Sequence, residues 1–204
     1  MEQNSIVKSF VFHMKFFLIV CVLTLSLQCW TKADDIRDFQ IEGISIGDSA
    51  LDYFSENEIL KNTNESAQFP NSNKFKRAEI KGSYKNYDGL IINYKNNDKT
   101  YKVQSISGIK FYRNTITECY ERMDQIKSEI SKIFNTANFR STEKNHRGDL
   151  SGQSIVKSYY YDLKNGDGAS IQCYDWSKKM KFSDHLRIRI SNNDFRNFLL
   201  NEAY

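Results

Sequence analysis

Ser49 stands in "ISIGDSALDYFS", directly after a short apolar run, where a strand would hand over to a helix. A serine at such a turn is either an exposed nucleophile or a helix cap. The cap reading has direct support: Ser49-Ala-Leu-Asp52 approximates a capping box, and Ser55-Glu-Asn-Glu58 repeats the pattern at once. A capping hydroxyl accepts a backbone N–H and contributes about 1 kcal/mol. Two cysteines, Cys119 and Cys173, form the second chemically capable group: they are either bonded or a pair of buried thiols. They are not spaced Cys-x-x-Cys, which argues against redox activity. The third group is aromatic and basic. Tyr159, Tyr160 and Tyr161, with Tyr174 and Trp176, lie on strand-like runs near Arg187 and Arg189. Alternation puts Tyr159 and Tyr161 on one strand face and Tyr160 on the other. Whichever face meets water then offers aromatic rings and guanidinium groups for recognition. The competing reading is that the rings fill a helix–sheet core.

The same Gly47-Asp48-Ser49 fragment superficially resembles the first block of the Gly-Asp-Ser-Leu esterases. That resemblance would imply a base, a His three residues after an Asp, and a Gly-x-Asn-Asp oxyanion element. Neither is present: no Asp stands three residues before His146 or His185, and Asp184 is adjacent to His185. A nucleophile without base and oxyanion donors does little. No catalytic residue is assigned. A metal site is not expected, because beyond residue 33 the chain has only two scattered histidines, His146 and His185, and two distant cysteines, which do not supply zinc spacing. The turn between Asp162 and Asp167 lacks the alternating carboxylates and terminal Glu of a calcium loop. No phosphate loop or dinucleotide fingerprint occurs, so no cofactor is expected.

Elements must position these groups. Residues 36–46 read as a strand or extended lead-in, followed by short helical pieces at 49–54 and 56–62 with Ile59 and Leu60 inward. Asn62 to Asn73 is polar, holds the only proline, Pro70, and reads as a loop. The runs "FKRAEIKG", "GLIINYK" and "YKVQSISGIKFY" have strand character, with a hairpin turn at Asn96-Asn-Asp98 and a bulge at Gly108. From Thr115 to Phe134, apolar residues at Ile116, Cys119, Met123, Ile126, Ile130 and Ile133 fall three and four apart, one stripe along a helix capped by Asn114 or Thr115. That stripe points Cys119 inward. Residues 135–153 read as a loop. Three further strands follow: "SIVKSYYYDL", "ASIQCYDW" after the Asn165-Gly-Asp-Gly168 turn, and "HLRIRIS" with Leu186, Ile188 and Ile190 to the core and Arg187 and Arg189 to water. A last short helix is capped at Asn193, with Phe195, Phe198 and Leu199 on one face. Turns this short force antiparallel neighbours. The expected class is α+β: an antiparallel sheet with helices on one face. An echo between Lys95-Asn-Asn-Asp98 and Lys164-Asn-Gly-Asp167 allows two tandem helix-plus-three-strand units. A bond from Cys119 to Cys173 would tie helix to sheet for about 4 kcal/mol in the chain-entropy model.

The first 33 residues belong outside this domain. From Met14, Lys15 gives a positive start, Phe16 to Cys29 an apolar core, and Thr31-Lys-Ala33 a cleavage site. The reading is a secretory leader cut after Ala33, with Met14 as the true start and residues 34–204 as a single domain. The alternatives are an uncleaved membrane anchor, for which the apolar run is short, and lipidation at Cys29, which Gln28 disfavours. Cutting removes Lys8, Lys15 and Lys32 against Glu2 and lowers the net charge from +4 to +2. That balance and export argue against a nucleic-acid partner. An oxidising destination favours the disulfide. The run "IRDFQIEGISIGDSALDYFS", Ile36 to Ser55, resembles the start of the mature part of small exported proteins from marine alphaproteobacteria, an uncharacterised group. The resemblance implies export to the periplasm and a compact domain, and it transfers no site residue. The expectation is a periplasmic binding or interaction module without catalysis, whose partner is a protein or a small ligand. The alternative is a hydrolase-type enzyme whose site does not show as a motif.

Overall fold

The computed structural model describes residues 35–63, 69–113 and 115–204. The expected leader and cleavage site lie outside these residues, as does Asn114. Strands β1 (Phe75–Lys81), β2 (Gly89–Lys95), β3 (Ser105–Phe111), β4 (Asn138–Asn145), β5 (Ile155–Asp162), β6 (Gly168–Asp175) and β7 (His185–Ser191) form one sheet in the order β1-β2-β3-β7-β6-β5-β4. Every neighbouring pair is antiparallel. Helices α1 (Glu56–Lys61), α2 (Ile116–Ile133) and α3 (Asn193–Asn201) complete the α+β fold. Among the described residues no helix is long and apolar enough to cross a membrane.

The core forms where α2 meets the sheet. Cys119, Met123, Ile126 and Ile130 are buried along its stripe, as the spacing predicts. They face Ile171 and Cys173 of β6 and Leu186, Ile188 and Ile190 of β7, all buried in the same cluster. Burying each such side chain contributes about 1.5–3 kcal/mol. Thr115 caps the helix by accepting the Thr117 N–H at 3.2 Å. The sulfurs of Cys119 and Cys173 are bonded at 2.02 Å, with Cα atoms 6.1 Å apart, so helix and sheet are covalently joined.

Several sequence expectations need correction. Residues 138–145 form a strand, not a loop. Seven of the eight β4 side chains are exposed, so no apolar alternation marks it, and its backbone pairs with β5 along its whole length. The second half of the chain therefore has four strands, not three. The helices do not share one face: α3 packs Phe195 and Phe198 against Phe75 and Phe69, on the side opposite α2. Its cap is Asn192, which accepts the Phe195 N–H at 2.9 Å, rather than Asn193. Residues 36–46 form no strand. They make a 3-10 turn at Ile36–Asp38 and an isolated bridge, Ile41 to Ile44, and still bury Ile36, Ile41 and Ile44. Leu60 is half exposed beside the buried Ile59. Gly108 makes no bulge. It pairs in register with Leu90 and Ile188, and a Cβ there would stand 2.6 Å from the Tyr87 ring.

Candidate functional site

Pairing register divides the side chains between two faces. One is the apolar face under α2. The other carries Asn93 of β2, Ser105 and Ser107 of β3, Arg187 and Arg189 of β7, Ser170, Gln172 and Tyr174 of β6, and Ser158 and Tyr160 of β5. This second face is polar across the sheet. Many of its groups satisfy one another: Ser105 and Ser191 hydroxyls meet at 2.7 Å, and Gln172 donates to the Ser158 hydroxyl at 3.1 Å. Helix α3 covers one end of the face and leaves a trough beside it.

The structure separates the expected recognition residues. Tyr159 and Tyr161 are buried in the core under α2 and are withdrawn as surface groups. Tyr159 donates to Asp124 at 2.7 Å, and the Tyr161 hydroxyl meets that of Ser131 at 2.9 Å, so both rings pin β5 to the helix. Tyr160 points to the polar face, half-buried, with the Arg140 guanidinium 4.9 Å from its ring centroid. Trp176, Arg187 and Arg189 join it on that face. Neither arginine projects freely into water, because α3 and Tyr174 half-bury them.

A cavity of about 290 Å³ lies where Arg187 and Arg189 meet Asn93, His146, Tyr174 and Tyr204. The Arg187 guanidinium rests 5.1 Å from the Tyr174 ring centroid, and its Nε is buried without a hydrogen-bond partner among the described residues. Arg189 donates from Nε to the Ser107 hydroxyl at 3.3 Å. Burial, reinforced by the neighbouring Arg187 charge, lowers the Arg189 guanidinium from its ordinary value, and an arginine stays cationic at neutral pH. Asn93 is 2% exposed, and its Oδ1 has no hydrogen-bond partner among the described residues. Sequence reading missed Asn93, because "GLIINYK" reads as an apolar strand in which one Asn gives no signal.

An aromatic cluster closes one end of the trough. Tyr174 stacks on His185 at 4.6 Å between centroids, and Trp176 lies 4.5 Å from His146. Trp176 Nε1 donates to His185 Nδ1 at 3.3 Å. The Ser183 carbonyl lies 3.0 Å from the same nitrogen, and a neutral ring satisfies one of the two through it. Burial pushes the His185 imidazole down to about 4, which keeps it neutral at pH 7.

Ser49 is a structural hydroxyl. It accepts the Leu51 N–H at 3.3 Å and donates to the Thr100 carbonyl at 2.7 Å, where residue 49 bridges to Lys102. Asp149 is likewise a structural carboxylate. It accepts from the hydroxyls of Ser151, Ser154 and Ser177 at 2.7, 2.6 and 2.8 Å and closes the β4–β5 loop. Asp162 joins Arg140 of β4 to Arg196 of α3. Among the described residues no three His, Cys, Asp or Glu side chains converge as metal ligands. Comparison of the chain with protein families, with curated proteins and with solved structures finds no match.

Proposed function

We propose that this chain is an exported, non-catalytic binding module that takes its ligand or partner on the polar face of the sheet. The observation that carries the reading is the trough beside α3. It is concave, it presents Arg187, Arg189 and Asn93 from rigid strands, and one end is walled by aromatic rings. Sites of this kind place a few polar groups on a fixed scaffold for orientation and specificity. The hydrolase alternative calls for a cleft of convergent acidic and polar groups; among the described residues the trough lining is polar but holds no Asp or Glu. Export is supported by the secretory character of residues 14–33 and by a disulfide of the kind oxidising compartments maintain.

Photo-crosslinking in intact cells tests the reading. Benzoylphenylalanine replaces Tyr160 on the polar face in one variant and Glu121 on the outer side of α2 in another. A discrete adduct, small or macromolecular, is expected from position 160 and not from position 121. Equal capture at both positions, or none at 160, would remove the polar face as the binding surface.

A further inference from the structure

Taking the polar face as the binding surface, we propose that its trough holds the carboxylate or phosphate group of a small ligand against Arg187 and Arg189, with Asn93 accepting a hydroxyl or amine of the same ligand.

The charge balance of the face carries the argument. Its other arginines have acidic neighbours: Arg140 and Arg196 share Asp162, and Arg77 lies 3.7 Å from Glu79. Arg187 and Arg189 stand next to each other on one face of β7 and make no ion pair among the described residues. Among the described residues no Asp or Glu lines their cavity. Two half-buried guanidinium groups side by side repel each other, and the lower proton affinity of Arg189 reflects that repulsion together with burial. An oxyanion between them would offset the cost, and planar guanidinium groups bind carboxylate or phosphate oxygens through paired N–H donors. The buried Nε of Arg187 has no partner and is one such donor.

Asn93 is the independent observation. It is almost wholly buried, lines the same cavity and leaves Oδ1 unsatisfied. It sits on β2, two strands from β7 on the same face, one side-chain step along from the Ile91–Ser107–Arg189 row. An unmade hydrogen bond in such a place is costly, and a ligand donor beside the acid group would complete it. The cavity has room for a small acid rather than a polymer.

Isothermal titration on the protein as the cell delivers it, at fixed ionic strength in chloride, tests this with three probes: inorganic phosphate, succinate and malate. Saturable binding of phosphate identifies a phosphate ligand, and saturable binding of the diacids a carboxylate one. Arg187→Gln and Arg189→Gln should each weaken the bound probe about tenfold or more, and Arg187→Lys less so. Malate should bind more tightly than succinate, and Asn93→Ala should erase that difference. Near-UV circular dichroism shows whether each variant is folded. The wild-type titration decides the matter even where a variant is not. No saturation by any probe, or binding indifferent to both arginine changes in folded protein, overturns the oxyanion site. Equal malate and succinate affinities overturn the role of Asn93. A failed titration with the position-160 adduct retained removes the anion and leaves the binding face. Loss of both removes the two readings together.

Discussion

At the scale of single residues, His185 gives the clearest solution test. It lies on the polar face between Tyr174, Trp176 and Phe111, near the charges of Arg187 and His146. Burial holds its folded value near 4, below the usual 6.5, so the native state favours the neutral ring. Between those values the unfolded chain binds the extra proton. The stabilisation is therefore complete above pH 6.5 and is lost as pH falls toward 4. His185→Gln should destabilise the protein at pH 7, and the gap to wild type should narrow by about 2–3 kcal/mol at pH 4. Denaturant melts at the two pH values measure this, and a constant gap would contradict it. Residue roles were unevenly legible. Ser49 and Ser55 read correctly as caps because capping is local in sequence. Asn93 and Gly108 did not, because what makes each matter comes from distant segments: the trough wall for Asn93, the Tyr87 ring for Gly108.

At the scale of elements, the α2–β6 link dominates. The disulfide spans a sequence separation of 54 and joins the longest helix to a central strand. Replacing both Cys119 and Cys173 by Ala should cost about 4 kcal/mol in the chain-entropy model. Thiol titration of wild type in denaturant without reductant should find none free between them, and two reactive groups would disprove the bond. The stripe of α2 was readable because a helix period of three and four leaves few alternatives. Strand β4 was not. Apart from Phe139, whose ring packs on Tyr159 and Tyr161, its residues Asn138 to Asn145 are polar, as befits an edge, and pairing with the β5 backbone sets their extended register. The side taken by α3 was also hidden. Its stripe of Phe195 and Phe198 announces burial, but the matching rings, Phe69 and Phe75, come from the far edge of the sheet.

For the whole molecule, the sheet runs from the β1 edge to the β4 edge with β3 and β7 joined near its middle, so the strands of the two halves meet through one ladder, and α3 packs back on the first half beside it. Local stability should follow that layout. Amide hydrogen exchange is expected to be slowest in β3, β6 and β7, whose residues are almost all buried, and faster by orders of magnitude in β4. Comparable protection in β4 and β7 would contradict the order. The sequence by itself determined the class. Hairpin turns and period-two runs dictate antiparallel strands, the long stripe dictates a helix on the sheet, and Cys119 and Cys173, the two cysteines beyond residue 33, suit each other. These signals are local, written in spacing that the backbone geometry must obey. The core face of β7 was also legible in Leu186, Ile188 and Ile190, but only the tertiary structure decided which β5 face is dry and what covers the other side of the sheet. Alternation separates Tyr159 from Tyr160 and Leu186 from Arg187, but it cannot say that α3 folds over the arginine side. That closure turns a solvated strand face into a walled trough, and it depends on contacts between residues more than a hundred positions apart.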